Sequence, residues 1–246
     1  MVGEPTCHSG PGAHGLTPGG RWDTLGLVAR SNQSPAPRIT FTEPTGLIDA
    51  DVQTLVPHES REGERFEGGD LSGVDLGGAS FMECALNGLV LTDAGLRGAR
   101  FVDTRLTASF ATSLVAARTT WRRVRVDSPR WGSAELFDAG LESVTIHGGK
   151  IDFLNLRGAK LTDVLIEDAQ ITELDLAGFT GTRVAVRNCR IGTLDLTRAT
   201  CVDVDLRDTS FSRVIGIEGM RGTILNETQL AEFAPVMAAL LGIRIE

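Results

Sequence analysis

The sequence of 246 residues lacks the long apolar runs that membrane proteins need. No stretch approaches the roughly 20 apolar residues of a membrane-spanning helix, and the N-terminus lacks the apolar core of a secretion signal. A basic excess is also missing, since 24 Lys and Arg face 32 Asp and Glu, which gives a formal net charge of −8. We therefore expect a soluble chain that binds neither a membrane nor, directly, a nucleic acid.

Motifs that carry chemistry are equally scarce. The glycines of residues 68–78 fall at fixed offsets and no helix follows them, so they do not predict a phosphate loop. Cys7, His8 and His14 lack the paired spacing of structural zinc ligands. His147 has no Ser or Cys nucleophile placed beside it by a known motif. We expect no enzyme, no catalytic, cofactor-binding or metal-binding residue, and no cofactor.

What the sequence does contain is a strict five-residue register from Phe66 to Phe211. Of the 30 positions at this spacing, which we call central positions, 29 are hydrophobic, although hydrophobic residues make up only 41% of the chain. Gly181 is the exception. From residue 69 to residue 214, the positions at the same five-residue spacing, each two residues before a central position of the register, carry no charge. A period of five fits neither a helix nor a strand, so each unit is a short extended piece followed by a corner.

A second period of 20 residues indicates that four units close one coil. Residues one coil apart resemble each other, and the clearest column is Val124, Val144, Val164, Val184 and Val204. Charged residues crowd the remaining positions of each unit, which predicts a narrow four-sided tube with a charged exterior. At a strand spacing of about 4.8 Å, the tube would have about 7.5 coils and a length of roughly 36 Å.

Units 74–76, 174–176 and 204–206 read Val-Asp-Leu, Leu-Asp-Leu and Val-Asp-Leu. They resemble the unit of the pentapeptide-repeat family, approximately Ala-(Asp/Asn)-Leu-x-x, and the resemblance extends over most of the register. It implies an all-β fold, a right-handed quadrilateral β-helix. Asp or Asn before the centre is sparse in this sequence, so we expect the corner hydrogen bonding to vary around the coil.

Four segments are predicted along the chain. Residues 1–40 contain clusters of Gly and Pro without a sustained period, and we interpret them as disordered. Residues 41–65 are an N-terminal cap, and residues 66–215 are the β-helix. Residues 216–246 are a C-terminal cap with a helix at about 227–241, which Asn226 caps, Pro235 kinks or splits, and Gly242 ends. The apolar side chains of the N-terminal cap are Phe41, Leu47, Ile48, Val52, Leu55 and Val56.

The C-terminal helix has an apolar set at helical spacing, which comprises Leu230, Phe233, Met237, Leu240 and Leu241. We favour a lid over the last coil as its role. The alternative is a homodimer interface, which the family resemblance also implies.

The spacing of the cysteines indicates whether disulfides form and therefore in which cellular compartment the protein is expected. Cys84 and Cys189 occupy inward positions two before a centre, and Cys201 occupies a centre. No two cysteines are separated by a multiple of the 20-residue coil, so we expect no disulfide and a cytoplasmic protein. Cys7 lies outside this argument.

Residues 107–131 are the least regular part of the register. Ala111 lies half a coil from both Phe101 and Trp121, so we expect the small side chain to make room for the rings. Phe179 and Gly181 repeat this exchange of volume within one unit. Near Ala111, a local bulge could turn Phe110 inward.

Basic residues form a belt around the middle of the predicted rod, namely Arg118, Arg122, Arg123, Arg125 and Arg130. We favour ordinary outward charges that pair along ladders, because Asp103 lies one coil from Arg123 and Asp163 lies one coil from Arg183. The alternative is a docking patch for an acidic partner, assisted by exposed Phe137 and Phe153.

The register and the absent motifs together predict a non-enzymatic, rigid scaffold for an unknown protein partner. The family resemblance implies an alternative, because some relatives imitate duplex DNA and bind a topoisomerase such as DNA gyrase, among them quinolone-resistance proteins. An acidic column of Glu135, Asn155, Asp175 and Asp195 fits this alternative. Against it, the repeat region has only 22 acidic and 18 basic residues, counted over residues 62–216, and DNA carries one charge per roughly 1.7 Å.

Overall fold

The structure, a computed structural model, describes residues 36–244. The chain there winds into a β-solenoid of about nine turns followed by one C-terminal helix. Within these residues, strands β1 to β19 cover, in chain order, Ile48–Asp49, Ser60–Glu62, Glu64–Glu67, Ser80–Met82, Ala85–Asn87, Arg100–Val102, Arg105–Thr107, Phe110–Val115, Thr120–Asp127, Arg130–Glu135, Gly140–His147, Lys150–Asn155, Lys160–Glu167, Gln170–Asp175, Thr180–Arg187, Arg190–Asp195, Thr200–Asp205, Ser210–Ile215 and Thr223–Ile224. Helix α1 covers Glu227–Leu240, and short 3-10 helices cover Val52–Thr54 and Ile217–Met220.

The strands pair in parallel with strands one coil away, which confirms the predicted β-solenoid. One sheet follows the order β1-β3-β5-β7-β9-β11-β13-β15-β17-β19 and also includes β2, β4 and β6. A six-stranded sheet has the order β18-β16-β14-β12-β10-β8. Val144 pairs with Val124 on one side and Val164 on the other, as the 20-residue period requires. The solenoid exceeds the predicted 7.5 coils because β1 already pairs with β3 and β19 still pairs with β17.

The inward positions form one continuous apolar core. The whole valine column is buried, and Val164 in its middle is 0% exposed. Cys84, Cys189 and Cys201 are buried free thiols, and burial raises the pKa of Cys201 to about 11. The thiols therefore serve as small apolar core residues. Cys7 lies outside the described residues.

The corners depend on residues two positions after each centre. Many of them have a left-handed backbone, for example Asp138 at φ 57° and Gly158 at φ 67°. Gly, Asp and Asn tolerate this conformation best, which explains why they recur there. At one corner the left-handed turn occurs at Gly73 and Asp93 but not at Ser113 or its equivalents in later coils. From that point the strands run straight through the corner, and the six-stranded sheet begins at β8.

The irregular stretch packs by the predicted exchange of volume. Phe101 stacks on Trp121 with ring centroids 4.4 Å apart, and Ala111 is fully buried. The suggested inward turn of Phe110 is wrong. Its backbone pairs in register with Arg130 without a bulge, so its side chain points outward and is 44% exposed.

At the N-terminal end, part of the predicted cap covers the first coil. Val52 and Leu55 join the core, whereas Ile48 and Val56 are exposed, and Phe41 and Leu47 are half-buried. Of the segment predicted to be disordered, residues 36–40 lie against the solenoid through hydrogen bonds from Arg38 and Thr40. The rest of that segment, with Cys7, His8 and His14, lies outside the described residues.

At the C-terminal end, helix α1 begins with a capping box, in which Gln229 N donates to Asn226 Oδ1 and Asn226 N donates to Gln229 Oε1, each at 2.9 Å. Pro235 lies inside the one helix and does not split it. Leu241 is the C-cap, and Gly242 follows with φ 73°. The helix therefore has the predicted start and the predicted end.

Candidate interaction surface

The basic belt is largely neutralised by four ion pairs, three of which run along the ladders. Arg123 binds Asp103 through two hydrogen bonds of 2.5 and 2.6 Å. Arg125 Nε lies 2.9 Å from Asp127 Oδ1. Two weaker pairs join Arg118 to Asp138 at 3.5 Å and Arg122 to Glu142 at 3.4 Å. The ladder pairing that the sequence favoured is present, and the belt is not a free positive surface.

Arg130 differs from the other four arginines of the belt, because it makes no ion pair with any residue in the range 36–244. It is exposed and lies one strand from Phe110 and one strand from Lys150 in the six-stranded sheet. The predicted aromatic helpers are less accessible, since Phe137 and Phe153 are half-buried rather than exposed. The exposed aromatic residue beside the basic belt is instead Phe110.

A hollow with a volume of about 540 Å³ lies on the six-stranded sheet. Phe110, Arg130, Lys150, Gln170 and Asp152 line its walls. Gly132 also lines it and contributes no side chain. The hollow therefore combines an exposed aromatic ring, two cations and one carboxylate, and Lys150 lies 3.1 Å from that carboxylate.

The acidic column has the predicted register but little free charge. Glu135, Asn155, Asp175 and Asp195 pair in consecutive strands. Asp175 is only 4% exposed and accepts a hydrogen bond of 2.7 Å from Arg157 Nη2. The other members of the column also form hydrogen bonds. Asn155 Nδ2 donates to Glu135 Oε2, and Asp195 Oδ1 accepts a hydrogen bond from Thr197 N at the next corner. Those bonds hold the turns, so the column is part of the framework.

His147 lies between the carboxylates of Asp127 and Asp168, of which only Asp127 is its partner in the ladder. Its Nδ1 is 3.6 Å from Asp127 Oδ1, and its Nε2 is 3.4 Å from Asp168 Oδ2. Asp127 also receives hydrogen bonds from Arg105 and Arg125 at 2.9 Å. Its charge is already balanced by two guanidinium groups, so the arrangement is an ion-pair cluster. No group of three or more His, Cys, Asp or Glu within residues 36–244 is arranged to hold a metal ion.

One polar cluster at the N-terminal end was missed by the sequence analysis. Arg61 lies in register with Phe81, so it occupies an inward position in the first turn. Its guanidinium donates to the Thr54 carbonyl at 2.5 Å and lies 3.3 Å from Glu59 and 3.5 Å from Glu64. Arg61 stands five residues before Phe66, so continuing the register by one unit would have found it.

The five-residue units can now be compared with known families. The model of the family described as pentapeptide repeats matches residues 65–107, with eight copies of the unit. The chain contains pentapeptide repeats. The register and the parallel pairing continue beyond the matched residues to β18.

Solved pentapeptide-repeat structures are similar to this chain at low identity. Full-length QnrB1, a plasmid-mediated fluoroquinolone resistance protein, is 19% identical to this chain, with a TM-score of 0.35. The match covers 77% of this chain and 94% of the QnrB1 chain. HetL, involved in heterocyst differentiation regulation in the cyanobacterium Nostoc, is 14% identical to this chain, with a TM-score of 0.19. The match covers 70% of this chain and 91% of the HetL chain. No curated protein matches the sequence.

The part of the chain that the structure describes has no helix of the length and apolarity that a membrane span requires.

Proposed function

We propose that this pentapeptide-repeat protein is a non-enzymatic, rigid scaffold that binds an acidic segment of a protein partner through the hollow on the six-stranded sheet. The observation that supports this most strongly is that exposed Phe110 and its strand partner Arg130 both line the hollow. Aromatic residues and Arg are the residue types that dominate binding energy at protein interfaces.

The charges near the hollow favour an acidic ligand. Arg130, Lys150 and Arg190 lie in one column of the sheet, with Gln170 between the last two. Neighbouring strands are about 4.8 Å apart, so these side chains form a ladder of cations along the rod axis. Among residues 36–244, Asp152 is the one acidic residue that lines the hollow.

A protein ligand is favoured over a nucleic acid. The chain carries a formal net charge of −8, and a duplex with one charge per roughly 1.7 Å would be repelled by most of its surface. A short acidic peptide would experience mainly the local cations, because the Debye length is about 8 Å at physiological salt. Because these cations are exposed, binding should weaken as salt is added.

The test compares partner capture by wild-type protein and by a Phe110→Ala, Arg130→Glu variant. A matched control is Val202→Ala, Arg100→Glu, because Val202 is 48% exposed and Arg100 is exposed outside the hollow. Proteins retained by the wild type and the control, but lost with the hollow variant, would support the proposal. Equal capture by all three proteins would contradict it.

The alternative is that the solenoid imitates duplex DNA and binds DNA gyrase. The observation in its favour is the alignment of acidic residues along consecutive strands at Glu135, Asp175 and Asp195. The ion pair between Asp175 and Arg157 weakens the case. Purified protein should inhibit gyrase supercoiling if the alternative holds, and Glu135→Lys with Asp195→Lys should abolish the inhibition. Absence of inhibition at micromolar concentration would eliminate this partner.

A further inference from the structure

Residues 36–43, which we call the strap, run along the outside of the solenoid without secondary structure of their own. Arg38 N donates to Asp163 Oδ1 at 2.9 Å, and Thr40 N donates to Ser143 Oγ at 2.7 Å. Ser143 and Asp163 lie 20 residues apart at the same corner of consecutive coils. The strap therefore advances one coil for every two residues, against the direction in which the solenoid winds.

The strap covers polar side chains that the repeat places outside. Ser143, Thr145 and Asp163 hold outward positions, yet they are 5%, 3% and 9% exposed. A buried polar group needs hydrogen bonds, and the strap supplies them to two of these residues. Asp163 binds Arg183 through two bonds of 2.6 Å and accepts the Arg38 N–H as well.

The strap is held through its backbone and through two of its side chains. Both donors to the corner are main-chain N–H groups, Thr40 Oγ1 lies 3.1 Å from Ser143 Oγ, and Glu43 Oε1 accepts a hydrogen bond of 2.7 Å from Arg105 Nη1. Burial alternates along the strap, since Pro37, Ile39 and Phe41 are half-buried while the residues between them are exposed. Backbone pairing with pockets for alternate side chains is how many proteins bind extended peptides.

We propose that the corner formed by Ser143 and Asp163 is a peptide-binding site for an extended segment of a partner protein with alternating apolar and polar residues, and that the strap is its displaceable occupant. The strap is tethered to β1 through residues 44–47, so it competes at a high effective concentration. A partner segment would bind when the strap is loosened. This site lies apart from the hollow on the six-stranded sheet and does not depend on the function proposed for it.

The test uses the full chain with Arg38→Pro and Thr40→Pro, because proline removes both N–H donors of the strap. A fluorescent peptide with the wild-type sequence of residues 36–44 is then titrated. We expect the peptide to bind this strap variant at least about tenfold more tightly than the wild type, where the strap fills the site. Adding Ser143→Gly and Asp163→Gly should abolish the binding. Glycine suits both corners, since Ser143 has φ 56° and Asp163 has φ 55°.

If the fourfold variant does not fold, Ser143→Gly alone in the strap variant gives the same contrast, because it leaves the ion pair between Asp163 and Arg183 in place. Equal peptide binding by wild type and strap variant would overturn the proposal, as would binding that survives the glycine substitutions. A concentration-dependent dimer of the wild type that the two prolines abolish would assign the site to a second copy of the chain, and would also overturn it.

Discussion

The ring of Phe179 fills the space that a side chain at Gly181 would need. A Cβ atom built on Gly181 would lie 2.6 Å from Phe179 Cε2, and Phe179 is fully buried. Gly181 is the one central position without a hydrophobic side chain. The missing volume has therefore moved two residues along the chain, as the sequence predicted, and the core stays filled.

This exchange predicts strong coupling between the two positions. Phe179→Ala should lower the free energy of unfolding by about 3–5 kcal/mol because it opens a cavity. Gly181→Leu alone should also destabilise, since its side chain meets the ring. The double variant restores a large centre and should recover a substantial part of the loss. Urea denaturation of the four proteins measures the coupling, and additive losses would contradict the exchange.

A second prediction concerns the valine column. Val164→Asp would bury an unpaired carboxylate at a fully buried position, and we expect a loss of several kcal/mol. Val202→Asp is the matched control, because Val202 is 48% exposed and should tolerate the charge. Thermal melts followed by circular dichroism compare the two variants. An unchanged melting temperature for Val164→Asp would mean that the residue does not face the core.

A third prediction concerns pH. The hydrogen bonds from Arg183, together with the Arg38 N–H, lower the pKa of Asp163 below its ordinary value of 3.8. The carboxylate therefore stabilises the folded state at neutral pH, and this contribution is lost as the pH falls through the folded-state pKa. Asp163→Asn should destabilise the protein at pH 7 and less so near pH 3. Asp152→Asn, at an exposed residue, is the control, and a penalty at Asp163 that does not change with pH would refute the linkage.

The sequence was most informative where the repeat restricts the choice of residue. The inward burial of Val164 follows from two periods alone, and the capping box at Asn226 follows from local spacing. Hydrophobicity alone could not predict the direction of Phe110, because an apolar residue beside a central position can face either the core or the solvent. Its outward direction follows from strict pairing with Arg130.

The remaining features arise from contacts between segments that are far apart in sequence. Arg38 and Asp163 are separated by 125 residues, and nothing in the periodicity marks their neighbourhood. The neutralisation of Asp175 depends on Arg157 reaching it from the preceding coil. Counting charges along a column could not predict that pairing, because it requires the direction of each side chain at the corner.

The last prediction concerns the exposed leucines of helix α1 and its C-cap. Gln229 anchors the helix to the last coil through two hydrogen bonds of 2.8 Å, to the carbonyls of Leu206 and Thr209. Phe233 and Met237 pack against the core, so the helix forms part of the predicted lid. Leu230, Leu240 and Leu241, which share the helical spacing of Phe233 and Met237, are nevertheless exposed.

Exposed apolar residues grouped on one helix favour association with a second copy, which would bury them in a symmetric interface. We expect sedimentation to give a dimer mass for the wild type and a monomer mass for Leu240→Asp, Leu241→Asp. Both substitutions lie at exposed positions, so they should leave the melting temperature of the monomeric solenoid nearly unchanged. Val202→Asp controls for the loss of exposed apolar surface elsewhere and should remain dimeric. A wild-type chain that stays monomeric up to hundreds of micromolar would leave α1 with the role of a lid alone.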